Sequence, residues 1–204
     1  MSIKNILIVA HSTGNLVVAN AEVKGFCVLA PKSKWIAMAA PMRGSYFADR
    51  GMDICAGKGK RLKVVHKSIK GFFETIKQCP LPESKKSLVR KGSLYSDKFL
   101  NKAYENAERV YMEKVSSILC GSSIVGLMSR RAMKYTSLSL LAPVFKGVSD
   151  GSVSFSSCRA GFSAERFEGS WKDSRFYLAR LNHADFKFVR SVNGKWGDDR
   201  KPMK

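Results

Sequence analysis

The sequence predicts an α/β fold built on a mostly parallel sheet with flanking helices. Two observations carry that expectation. Strand, helix and strand follow one another between residues 5 and 39, and the first apolar run ends abruptly in His11-Ser12-Thr13-Gly14 before a helical pattern begins. Parallel strands need a crossover of a dozen or more residues, usually helical, so this order reads as a βαβ unit.

Asn5 to Ala10 holds a short continuous apolar run, the pattern of a strand buried on both faces. Thr13 to about Lys24, rich in Leu, Val and Ala, reads as the helix, and Lys34 to Ala39 as the next strand, stopped by Ala40-Pro41. Arg43 to Gly59 carries four glycines and no clear period, which predicts a loop with a short helical piece. Val64 to Lys77 has a weak helical pattern that Cys79-Pro80-Leu81-Pro82 terminates. The clearest helix is expected from about Asp97 to Leu119, with Ser96 as N-cap. Its apolar residues, Phe99, Leu100, Ala103, Ala107, Val110, Tyr111, Val115 and Ile118, recur at three- and four-residue spacing. Further strands are expected at Ser137 to Phe145 and Phe176 to Leu181.

The length of 204 residues, with 45% apolar and 10% aromatic composition, suits one domain over 1–204 with a sizeable core. No apolar run is long enough to span a bilayer, and the first residues do not read as a signal peptide. The net charge is +20, from 36 Lys and Arg against 16 Asp and Glu. Such a charge fits either a solvated basic surface or an anionic partner. The basic residues are dispersed in clusters around Lys58–Lys63, Lys85–Lys91 and Arg130–Lys134 and in the tail Arg200–Lys204. No aromatic-interleaved RNA signature or zinc-finger spacing accompanies them, which argues against nucleic acid as the partner. The five cysteines, Cys27, Cys55, Cys79, Cys120 and Cys158, show no C-x-x-C and no metal-ligand spacing. Spacing alone leaves them as buried thiols or as a two-disulfide framework with one left over. No cofactor or metal site is expected.

The pattern Ala10-His11-Ser12-Thr13-Gly14 has the form of a nucleophile elbow, written A-x-S-x-G in place of the commoner G-x-S-x-G. A serine on a tight strand-to-helix turn calls for small neighbours two residues to either side, and the following helix aims its first amides where negative charge would develop. An elbow of this kind needs an acid and then a histidine on loops that follow later strands. Asp150, in Ser-Asp-Gly-Ser-Val, and His183, in Asn-His-Ala-Asp, meet that order. The expected roles are Ser12 as nucleophile, His183 as its base, Asp150 as the group that orients His183, and the Thr13 N–H as an oxyanion donor. Asp173 and Asp185 are alternatives for the acid, Asp185 more readily a supporting residue or loop cap. His66 lies in a lysine-rich segment without strand-end context, and His11 is expected to point along the strand away from the serine.

These blocks together resemble the α/β-hydrolases, in their lipase and esterase-like branch. Val9 to Val18, Ser149 to Val153 and Asn182 to Asp185 carry the resemblance, and Ala40-Pro41-Met42-Arg43-Gly44-Ser45 is similar to the segment after the strand that follows the elbow. The likeness extends to uncharacterised eukaryotic lipase-like proteins named after inositol deacylases of lipid anchors. It implies a serine hydrolase cleaving acyl esters or lipids. It also implies a helical cap insertion within 60–130, although the long helix would equally serve as a sheet-flanking one. Pairings of Cys55 with Cys79 and of Cys120 with Cys158 are implied too, and with them a secretory or extracellular location whose signal sequence is missing from this chain.

In that family several strands precede the elbow, and a loop after the third supplies a second oxyanion N–H. Here the elbow strand starts at residue 5, so the resemblance implies an N-terminally truncated domain whose partial sheet starts at the nucleophile strand. Loss of the second donor would cost about 10²–10³-fold in rate. Two other readings stand beside this one: an inactive remnant that binds anionic lipid or a protein partner through its basic surface, and a basic nucleic-acid-binding protein, which the charge of +20 would explain.

Overall fold

A computed structural model describes residues 2–58, 74, 79–127, 147–172 and 174–187. The chain runs β1 (Ser2–Ile3), β2 (Leu7–His11), α1 (Gly14–Val23), β3 (Val28–Leu29), β4 (Lys34–Met38), α2 (Tyr46–Cys55), α3 (Glu83–Lys86), α4 (Lys98–Lys114), β5 (Ser117–Gly121), α5 (Phe155–Cys158) and β6 (Phe176–Ala179). Single 3-10 turns lie at Ala164–Arg166 and Asp185–Lys187. Four strands form one sheet in the order β2-β4-β5-β6, and every pair in it is parallel. β1 and β3 form a separate parallel pair. The architecture is mixed α/β on parallel strands, consistent with part of an α/β-hydrolase fold.

The register explains the two layers of the core. Ala10 lies opposite Ala37 and His11 opposite Met38, while Ile118 lies opposite Phe176. Because successive side chains of a strand alternate faces, Trp35, Ala37, Ile118, Cys120 and Phe176 reach one core with Ala107, Val110 and Tyr111 of α4. Met38, Leu119, Tyr177 and Ala179 reach a second core with Leu181 and Phe186. Trp35 and Tyr111 meet edge to face in the first, with ring centroids 5.3 Å apart. β2, expected from its apolar run to be buried on both faces, instead lies at one edge of the described sheet, with Leu7 and Val9 exposed.

Several expected boundaries move. The helical piece expected within the loop after Arg43 is longer than expected: it is the ten-residue helix α2, begun by Ser45, whose side chain accepts from the Phe47 N–H. Gly51 inside it disguises it, since Gly lowers helix propensity without forbidding a helix held by packing. The long helix ends at Lys114, five residues before Leu119, and its N-cap is Asp97 rather than Ser96; the Asp97 carboxylate accepts the Leu100 N–H at 2.7 Å. After it the chain turns extended at Val115 and enters β5, so Ile118, expected on the helix, lies in a buried strand. The 60–130 stretch allotted to a helical cap therefore contains an inner strand of the sheet, and α4 packs on that sheet alongside α1. The strand expected at Ser137 to Phe145 and, apart from Glu74, the helix expected from Val64 to Lys77 lie outside the described residues.

Cys55 and Cys79 form one disulfide and Cys120 and Cys158 another, as the resemblance implied; Cys27 is a free thiol. The second fastens the short helix after the Asp150 loop to β5. Among the described residues no helix is long and apolar enough to cross a membrane.

Candidate functional site

The site is built where parallel strands end together. β2 runs on by one hydrogen bond past its last residue, the Ser12 N–H donating to the Met38 carbonyl at 2.9 Å. Ser12 itself has φ 55°, the left-handed region that a non-glycine residue occupies at a cost of about 1–3 kcal/mol. Such a turn persists only if its surroundings over-determine it, and Asn15 supplies much of that constraint. The Asn15 side chain is fully buried, and its amide nitrogen lies 3.0 Å from the Ala10 carbonyl, 3.0 Å from that of Ser12 and 3.2 Å from that of Met38. Its oxygen accepts the indole N–H of Trp35 at 3.1 Å. One side chain thus binds the strand end, the turn and the neighbouring strand.

The expected need for glycine at position 14 is weaker than the motif suggests. A Cβ there would meet only the Ala10 Cβ, at 3.9 Å, which is ordinary contact. Glycine is required instead at Gly121, the last residue of β5. A Cβ on it would lie 2.5 Å from the Asp150 Cβ and 2.6 Å from the Leu181 carbonyl oxygen.

That contact fixes where the acid stands: Asp150 sits against the C-terminal end of β5, almost fully buried. One carboxylate oxygen accepts the N–H groups of Ser152 at 2.8 Å and Val153 at 2.7 Å. The other lies 2.7 Å from His183 Nδ1. The Asp150 carbonyl also accepts the His183 N–H at 2.9 Å. His183, on the loop after β6, places Nε2 2.8 Å from Ser12 Oγ. Ser12, His183 and Asp150, far apart in sequence, thus form one hydrogen-bonded chain. Thr13, at the mouth of α1, has helical backbone angles and makes no side-chain cap bond, leaving its amide among the first of that helix.

The His183 loop is latched from behind. Asp185 Oδ2 accepts the N–H groups of Leu127 at 2.8 Å and Asn182 at 3.0 Å, and Asn182 Nδ2 donates to the Val125 carbonyl at 2.9 Å. Burial pushes the Asp185 carboxyl above its ordinary range, and those two N–H donors oppose the push. Asp185 therefore supports the loop and does not reach the histidine ring as its acid. Asp173 and His66 lie outside the described residues.

His11 departs most from expectation. Its ring turns toward the site: Nε2 lies 3.0 Å from the His183 carbonyl oxygen, and the two imidazole centroids are 4.8 Å apart. Burial, with the nearby His183 adding to it, lowers its pKa to about 4. Asn15 and Gly121 are the residues that sequence reasoning passed over, while His11 was expected to point away from the serine. The first two carry no local signal, because an asparagine on a helix and a glycine after an apolar run are both ordinary.

Chemically, the arrangement holds an imidazole nitrogen against a hydroxyl, with a carboxylate fixing the opposite nitrogen. This is the geometry in which a serine hydroxyl can be deprotonated as it attacks. Among the described residues no cluster of His, Cys, Asp and Glu is placed to hold a metal ion.

No protein-family model matches the chain, and no curated protein matches it. Among solved structures it is similar to a lipase of Staphylococcus hyicus, at a TM-score of 0.38 and 12% identity. That alignment covers 93% of this chain and 64% of the lipase chain.

Proposed function

We propose that the protein is a serine ester hydrolase of the lipase and esterase type, acting on acyl esters through Ser12, His183 and Asp150. The observation that carries the reading is the pair of short contacts on one imidazole, 2.8 Å to the Ser12 hydroxyl and 2.7 Å to the Asp150 carboxylate. In the proposed reaction Ser12 Oγ attacks the acyl carbonyl while His183 Nε2 takes its proton. Asp150 holds the Nδ1–H tautomer and stabilises the imidazolium that forms. The Thr13 N–H, at the N-terminus of α1, would donate to the developing oxyanion. His183 then returns the proton to the leaving alcohol, and water repeats the sequence on the acyl-enzyme. The charge of +20 suits substrate presented at an anionic lipid surface, and the two disulfides suit an oxidising compartment.

Labelling of the folded chain with a fluorophosphonate probe tests the reading. Wild-type protein is expected to be labelled at Ser12 and to hydrolyse a short p-nitrophenyl ester, with both lost in Ser12→Ala and His183→Ala. Folded wild-type protein that takes no label would overturn it and favour a non-catalytic remnant.

A further inference from the structure

We infer that His11 is a positioning residue for His183, holding the main chain of that histidine so that its imidazole stays on the Ser12 hydroxyl. The inference rests on the hydrolase reading for its kinetic consequence and on geometry for everything else.

His183 is grasped at four points. Its N–H donates to the Asp150 carbonyl at 2.9 Å, its Nδ1 lies 2.7 Å from Asp150 Oδ2, its Nε2 lies 2.8 Å from Ser12 Oγ, and its carbonyl faces His11 Nε2 at 3.0 Å. Two of the four come from consecutive residues of one turn. His11 holds the backbone of His183 and Ser12 engages its ring, so the peptide between them fixes nucleophile and base in one frame. A displacement of the His183 loop relative to β2 therefore strains the His11 contact together with the Ser12 contact.

A carbonyl only accepts, so the bond requires a proton on His11 Nε2. The neutral Nε2–H tautomer meets that requirement without adding charge. His183, Lys187 and Asp150 are the charged or titratable groups that bear on His11; the His183 ring and Lys187 oppose a second proton there, and the His183 carbonyl and Asp150 favour one. Burial outweighs both favourable contacts, which leaves His11 uncharged at neutral pH. A cation 4.8 Å from the His183 ring would instead oppose the imidazolium that the reaction forms. Phe186, 6.5 Å away and nearly parallel, limits the His11 ring on the same side of the sheet.

The test uses the histidine-labelled 204-residue chain and two variants. In wild type, two-bond proton–nitrogen spectra are expected to show His11 as the neutral Nε2–H tautomer, titrating near pH 4 and not near 6.5. His11→Gln keeps an N–H donor at similar reach; His11→Leu keeps volume and removes the donor. His11→Leu is expected to lower kcat about 10²-fold with KM little changed, and to weaken the downfield Nδ1 proton signal of His183. His11→Gln is expected to restore both to near wild type at equal melting temperature. A His11 that carries its proton on Nδ1, or a His11→Leu protein with an unaltered His183 signal, would overturn the inference. Those spectra need no substrate. A wild-type protein that takes no fluorophosphonate label while showing the expected His11 tautomer would therefore sink the hydrolase reading and leave the positioning contact standing.

Discussion

Replacing Asn15 by Ala removes the side chain that ties the strand end, the turn and β4 together. The cost can be worked out contact by contact. The Met38 carbonyl keeps the Ser12 N–H at 2.9 Å, the Ser12 carbonyl keeps the Asn15 N–H at 3.1 Å, and Ala10 lies within the parallel β2–β4 ladder, so the loss falls mainly on the donor side. The indole N–H of Trp35, fully buried, loses the Asn15 acceptor. An orphaned buried donor costs about 1–3 kcal/mol. With the small void left behind, the total comes to about 2–4 kcal/mol. For a chain of 204 residues this lowers the melting temperature by roughly 5–15 °C. The turn at Ser12 loses its principal brace as well, so fluorophosphonate labelling at 25 °C, below the variant's melting transition, is expected to slow at least about tenfold. Trp35→Phe completes a double-mutant cycle. Because the double variant leaves no orphaned partner, its destabilisation should fall short of the sum of the two single changes by about 1 kcal/mol. A variant that melts within about 2 °C of wild type, a shift worth less than ~1 kcal/mol, and labels at the same rate would refute the reasoning. An additive cycle would refute its energetic part.

Two glycine substitutions should give opposite results. Gly121→Ala forces the Asp150 side chain or the Leu181 backbone to move, and a shift near 1 Å at this site is expected to slow labelling about 10²-fold. Gly14→Ala places its Cβ in ordinary contact, so labelling should persist and stability should hold or rise by up to about 1 kcal/mol. Stability should also fall between pH 6.5 and about 4, because there the unfolded chain binds a proton at His11 that the folded chain refuses. Urea midpoints at pH 7 and 4.5 read this directly, and His11→Gln, which cannot titrate, should narrow the difference between them. Reduction of Cys120–Cys158, whose ends are 38 positions apart in the sequence, should cost about 4 kcal/mol in the chain-entropy account. A single Cys158→Ser variant melting like wild type would contradict that figure.

The sheet-forming segments at 5–10, 34–39 and 176–181 were legible because each is a short apolar run closed by a breaker. The strand β5 was not. Its Ile118 and Leu119 continue the three- and four-residue spacing of α4, and only the extended backbone at Val115 separates helix from strand. The helix α2 was obscured for a different reason. Gly51 lies inside it with the Leu81 side chain at 3.0 Å from where a Cβ would stand, so packing, not propensity, sustains it.

For the site, the linear chain determined which residue types were available and in what order: a serine between strand and helix, then an acid, then a histidine, each in a local pattern suited to a tight turn. Such patterns are short-range, and a turn's steric demands are written in the residues that form it. Distances between Ser12, Asp150 and His183, and the service of Asn15, Gly121 and His11 to them, depend on parallel strands delivering their ends to one edge. Contacts of that range arise from register and packing, which no local window contains, and so tertiary structure alone decided them.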